Sequence, residues 1–221
     1  MLFSSKKSVI TEKRILLKKV NWTKFSEILA ELGRDRTVHL TYDRGQLEMM
    51  TPLEIHDRAQ RLLDSLLIVV ADEADETLHR LGSILLMQPQ EGLAIQPFAA
   101  YYLDYPPAPI TTRELDLSAI APPDLVVDVM LGEGNMNRSA LFEALQIPEL
   151  WRYRIQTSEG AVQGTLEILQ LTSAGYKATA ESLAFPHLTI TKIQEFVAES
   201  DTLGLTQALT LLRSWAAETQ A

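Results

Sequence analysis

Cysteine is absent from this chain of 221 residues. That absence excludes disulfides, thiolate zinc sites and cysteine nucleophiles together. Histidine is scarce: the four residues, at 39, 56, 79 and 187, are too scattered for a His-rich metal centre. Basic charge is in deficit, with 20 Lys and Arg against 29 Asp and Glu and a formal net charge of −9. Sequence-blind wrapping of nucleic acid needs clustered cations to neutralise phosphates, so that function is disfavoured. An acidic nuclease with a local basic groove remains compatible with this balance. Long apolar runs are missing too. The longest, Leu66 to Ala71, falls far short of the ~20 residues a membrane helix needs. The N-terminus mixes basic and apolar residues, unlike a secretory signal. The expectation is a cytoplasmic protein with no membrane partner.

What is present suits a globular fold. Hydrophobic residues make up 46% of the chain, and this length can bury a sizeable core in one domain or one domain with a small appendage. The segment NWTKFSEILAELG predicts a helix with a Thr cap, an apolar stripe at Phe25, Ile28, Leu29 and Leu32, and an end at Gly33. Val38, Leu40 and Tyr42 alternate with polar residues, Asp43-Arg44-Gly45 turns, and Leu47 and Met49 resume the alternation, which predicts a β-hairpin. Ala59, Leu62, Leu63, Leu66, Leu67 and Val70 recur at spacings of three and four, predicting a long helix from about Ile55 to Leu78. The acidic run at its far end (Asp72, Glu73, Asp75, Glu76) reads as a solvated helix end rather than a metal site.

Beyond Gly82, SILLMQ and LAIQPFAAYYL read as two strands, followed by a Pro-rich loop. DLVVDVML is β-branched and nearly all apolar, which predicts a central strand. A short helix over 137–146, the strand ELWRYRI, the hairpin GTLEILQL–GYKATAES and two C-terminal helices complete the chain. The whole implies one α/β (mixed α+β) domain over 20–188, an N-terminal arm over 1–19 and a C-terminal helical appendage over 189–221. Leu205, Leu209, Leu212 and Trp215 share a helical register that could pack on the domain or on a second copy in a homo-oligomer.

Several catalytic devices are missing. No phosphate-cradling glycine loop with a following Lys occurs, and no Gly-x-Ser-x-Gly elbow. What remains is the stretch from Pro122 to Arg154. Asp128 stands mid-strand between Val127 and Val129, where a carboxylate is costly unless paired or metal-bound; the bland alternative is a shorter strand that leaves it exposed at an end. His56 shares the angular side of Ala59, Leu63 and Val70, so its ring heads inward. Tyr101, Tyr102 and Tyr105 could stack bases but lack interleaved cations, which favours packing. Arg152 and Arg154 alternate with Trp151 and Tyr153, placing a solvent-facing pair or a phosphate contact on one strand face.

NWTKF, the YDRGQLEMMTP hairpin, His56 at the head of the long helix, PPDLVVDV and ALFEALQIPELWRYR occur in an order and spacing that resemble the Uma-type bacterial endonucleases, within the PD-(D/E)XK restriction-endonuclease-like superfamily. The resemblance runs from Val20 to about Leu188. It implies a small mixed sheet flanked by helices, DNA as partner, and phosphodiester hydrolysis in which carboxylates hold Mg²⁺ and a nearby Lys assists. It also implies departures. The Pro-Asp whose Asp ligates metal is here Pro97-Phe98, and the Glu of the central strand is Asp128. The Lys slot two residues on is Met130, while relatives that carry the Lys on the following helix match at Arg138. Arg keeps the charge but does not deprotonate. His56 corresponds either to the helix residue that lines such sites or to an ordinary core histidine. The resemblance therefore implies Asp128, Arg138 and His56 as site residues, Asp128 as the lone metal candidate, and a weak or inactive nuclease. Glu48 or Asp57 is the conceivable second carboxylate, Asp57 being disfavoured because it falls roughly opposite the apolar stripe and Asp124 because it lies four residues away along the strand. A non-catalytic binding or assembly module on the same scaffold is the alternative, and a fully active nuclease with relocated ligands the third reading.

Overall fold

The computed structural model describes residues 12–104, 106, 110–132, 134–158 and 161–220. In chain order the elements are β1 (Lys13–Lys18), α1 (Trp22–Leu32), β2 (His39–Asp43), β3 (Gln46–Thr51), α2 (Glu54–Glu73), β4 (Leu78–Gly82), β5 (Leu85–Gln88), β6 (Leu93–Ile95) and β7 (Ala99–Leu103). They continue with β8 (Glu114–Asp116), β9 (Leu125–Leu131), α3 (Arg138–Ala144), β10 (Glu149–Ser158), β11 (Ala161–Thr172), β12 (Gly175–Thr179), α4 (Ile190–Leu203) and α5 (Leu205–Gln220).

Two mixed six-stranded sheets carry the fold, one ordered β1-β3-β2-β6-β5-β8 and the other β12-β11-β10-β9-β7-β4. The expected hairpin is β2–β3, closed by Arg44 (φ 41°) and Gly45 (φ 100°). Successive positive φ values match the right-handed twist of the flanking strands. In the second sheet, β9 runs parallel to β10 and antiparallel to β7. All seven β9 residues are buried, as its composition predicts.

The alternation of β9 splits its side chains between two cores. Leu125, Val127, Val129 and Leu131 join a cluster with Leu63, Leu66 and Leu67 of α2, and with Ile193, Phe196, Ala208 and Leu212 of the C-terminal helices. Val126 faces the other way, among Leu86 and Ile95 of the first sheet and Leu141 and Phe142 of α3. Asp128 is on this second side, between the sheets. Leu209 and Trp215 also pack against the large cluster, so this face of α5 is covered by the chain itself.

Three local expectations change. Asn21, not Thr23, caps α1: its side chain accepts from the Lys24 N–H at 2.8 Å. The long helix stops at Glu73, and Leu78 begins β4. Four acids at its C-terminal end oppose the helix dipole, and Asp75 takes φ 55°, which ends the helical path. LAIQPFAAYYL is two strands rather than one, since Pro97 has no N–H to continue a ladder; β6 and β7 therefore enter different sheets. The arm contributes an edge strand, β1, paired antiparallel to β3.

Candidate functional site

Asp128 lies in the middle of β9 with 1% of its surface exposed. Its carboxylate is met by Arg138, the first residue of α3. Nε donates to Oδ2 at 2.8 Å and Nη2 to Oδ1 at 2.6 Å, a two-pronged pair. The position of Arg138 follows from the helix start: Asn137 caps α3 by accepting from the Ala140 N–H at 3.1 Å, which directs the next side chain back over the sheet. The same guanidinium donates from Nη1 to Thr41 Oγ1 at 2.5 Å and from Nη2 to the Gln96 carbonyl at 2.9 Å. Four oxygens from three strand segments thus converge on one cation. Burial disfavours the charged guanidinium, but Asp128, with Glu48 and Glu12 further off, outweighs it and holds Arg138 more firmly protonated than usual.

Phe98 immediately precedes β7. It is 2% exposed, its ring parallel to that of His56 at 5.3 Å (6° between planes) and 4.4 Å from that of His39. His39 is pushed down to about 3, first by burial and then by the charge of Arg138. It stays neutral at any ordinary pH.

His56 is fully buried and turned inward, as the helical spacing predicts. The Leu53 N–H donates to its Nδ1 at 3.0 Å. Nδ1 is therefore an acceptor, and the proton resides on Nε2. Nε2 donates to Glu12 Oε1 at 2.6 Å. That oxygen also accepts from the Leu131 N–H at 3.0 Å, while Oε2 accepts from Arg14 Nε at 2.5 Å. Arg14 Nη1 in turn donates to Glu48 Oε1 at 2.6 Å. Glu48 Oε2 accepts from Asn135 N at 3.1 Å and Nδ2 at 2.8 Å. Burial raises the Glu12 carboxyl, but His56, Arg14 and the Leu131 N–H together hold it below the usual carboxylate range. Two hydrogen-bonded groups thus lie side by side, Asp128 with Arg138, and His56 with Glu12, Arg14 and Glu48; the charges of Glu48 and Glu12 act on Arg138 across the gap.

Of the residues singled out by sequence, Asp128 and Arg138 meet directly, and His56 stands behind Phe98 in the adjoining group. Glu48 lies nearby with both oxygens committed to Arg14 and Asn135 rather than to Asp128. Asp124 accepts from the Leu103 N–H at 2.8 Å, away from the site. Tyr101 donates to Asp64 at 3.1 Å and Tyr102 to the Ala121 carbonyl, both as packed residues; Tyr105 lies outside the described residues. Arg152 and Arg154 both reach Glu167, at 2.9 and 3.2 Å. Asp72 and Glu73 receive Arg213, at 2.8 and 2.6 Å. Sequence reasoning missed Glu12, Arg14, Thr41 and Gln96. The one available signal was Glu12-x-Arg14, two charges of opposite sign on one face of a strand.

A divalent ion such as Mg²⁺ needs free oxygen ligands. Here the residues do not fit it: both Asp128 oxygens, Thr41 Oγ1 and the Gln96 carbonyl already face Arg138, and Phe98 offers an apolar ring. Among the described residues no group of three or more His, Asp or Glu is arranged to hold a metal ion.

Two mixed sheets flanked by five helices, with a carboxylate on a central strand facing a cation from the next helix, define a restriction-endonuclease-like fold. Residues 22–197 match the model of the Uma2 family, described as putative restriction endonuclease, and the chain belongs to that family. No curated protein matches it. Among the described residues, no helix is long and apolar enough to cross a membrane.

Proposed function

We propose that this chain keeps the nuclease scaffold but has replaced the catalytic cation with its own guanidinium, and that it works as a non-catalytic or very weak relative of the family's nucleases. One observation carries the reading: the Arg138–Asp128 pair, in which both carboxylate oxygens are bonded at 2.8 and 2.6 Å. A fixed guanidinium neutralises Asp128 as a metal would. It carries no exchangeable water to activate, and it does not give up a proton. Phe98, in the second ligand slot, removes the other anchor. DNA is the partner that family membership suggests, and the cytoplasm is the compartment where such a protein would meet it.

The test is plasmid cleavage with Mg²⁺ and with Mn²⁺, run beside Asp128→Ala. The expected result is cleavage at or barely above the buffer control, equal in the two proteins. Chelator-sensitive cleavage by the natural chain that disappears in Asp128→Ala overturns the reading and restores an active nuclease.

A further inference from the structure

The first strand, like β4 and β12, contains no fully buried residue; unlike them, none of its residues joins a hydrophobic cluster. Ile15 and Leu17 are 57% and 36% exposed. What holds β1 is its edge ladder to β3 and the side chains of Glu12 and Arg14. Those two reach three walls of the site: the head of α2 through His56, the end of β9 through the Leu131 N–H, and β3 through Glu48. Arg14 Nη1 also lies 2.9 Å from where a Cβ on Gly134 would sit. The guanidinium therefore presses on the loop that leads to Arg138. Glycine at 134 is what lets it come so close.

The connection out of β1 is short and strained. Three residues separate it from α1, and Lys19 among them takes φ 60°, a left-handed conformation that costs a non-glycine residue energy. An edge strand without core contacts, followed by a strained joint, belongs to the low-stability end of a fold, where local opening precedes global unfolding.

We infer that β1 is a strap that opens as a unit about Lys19, with Glu12 and Arg14 as the latch that ties it over His56 to α2, β9 and β3. This stands apart from catalysis: it holds whether or not the site cleaves DNA. Opening separates Glu12 from His56 and Leu131, separates Arg14 from Glu48, and exposes the His56 imidazole to solvent.

The test is backbone amide exchange read by mass spectrometry on the full chain, with the natural protein beside Glu12→Ala and Arg14→Ala. In the natural protein, amides of 13–18 should exchange at least tenfold faster than those of 125–130. Each variant should raise the rate at 13–18 about tenfold or more and leave 125–130 unchanged, the Leu131 N–H being set aside because it donates to Glu12. Site-resolved modification by diethylpyrocarbonate is the second measurement. His56 should be inert in the natural protein and reactive in Glu12→Ala. Equal exchange in the two strands of the natural protein, or variants that accelerate both alike, would show that β1 opens only with the whole domain and overturn the strap. An unreactive His56 in a variant whose β1 exchanges freely would show that the strand and its latch do not cover His56, and would overturn the strap.

Discussion

Arg138→Ala removes the guanidinium from a carboxylate that is 1% exposed and leaves Thr41 Oγ1 and the Gln96 carbonyl without the donors that reach them at 2.5 and 2.9 Å. Breaking a buried pair from one side costs about 3–5 kcal/mol, because the surviving charge has neither water nor partner. At about 2–4 °C per kcal/mol for a domain of this size, the melting temperature should fall by roughly 6–20 °C. The double variant Asp128→Leu/Arg138→Met removes both charges and keeps the volume, and such replacements are often neutral. It should melt within a few degrees of the natural chain. Calorimetry or circular dichroism melting of all three proteins settles the matter. A loss in Arg138→Ala below about 1 kcal/mol, typical of an exposed pair, would mean the guanidinium does not bear the charge of Asp128. So would a double variant no more stable than the single one, since the penalty would then not lie in the stranded carboxylate.

Three further outcomes follow from the same physics. Glu12 titrates below its usual range when folded, so the unfolded chain binds its proton more readily; its contribution is present above about pH 4.3 and disappears as pH falls through the lowered value. Glu12→Gln should therefore flatten the acid limb of the melting-temperature profile, and an unchanged limb would count against the latch. Glu149 is fully buried and accepts from Trp151 Nε1 at 2.5 Å and from the Leu183 and Ala184 N–H groups at 2.6 and 2.8 Å. Glu149→Ala strands three donors and should cost about 3 kcal/mol or more in denaturant unfolding. A Cβ on Gly164 would stand 1.7 Å from the Tyr153 hydroxyl oxygen, so Gly164→Ala should displace that ring and destabilise by about 1–3 kcal/mol in the same assay.

The alternation of β2 and β3, the apolar run of β9 and the stripe of α2 were readable because each is a local period that burial enforces. The inward turn of His56 was readable for the same reason. Phe98 was singled out only through resemblance, since no periodicity marks it. The partner of Asp128 was not legible as a partner: Arg138 stood out as a displaced Lys, but its grip on the carboxylate depends on a helix cap and on two oxygens from the other sheet. Glu12 and Arg14 escaped because β1 is an edge strand whose apolar residues face solvent. Its alternation therefore carries no burial signal. The break at Pro97 was visible as a residue and overlooked as a boundary, because the apolar residues on either side read as one run.

The central claim is that a guanidinium stands where a cation-dependent nuclease would hold its ion. Titration of the natural chain with Mn²⁺, followed by calorimetry and by electron paramagnetic resonance, tests it most directly, with Asp128→Asn as the companion. The account predicts the same weak, unsaturated signal from both proteins. One ion bound per natural chain, and lost in Asp128→Asn, would contradict it.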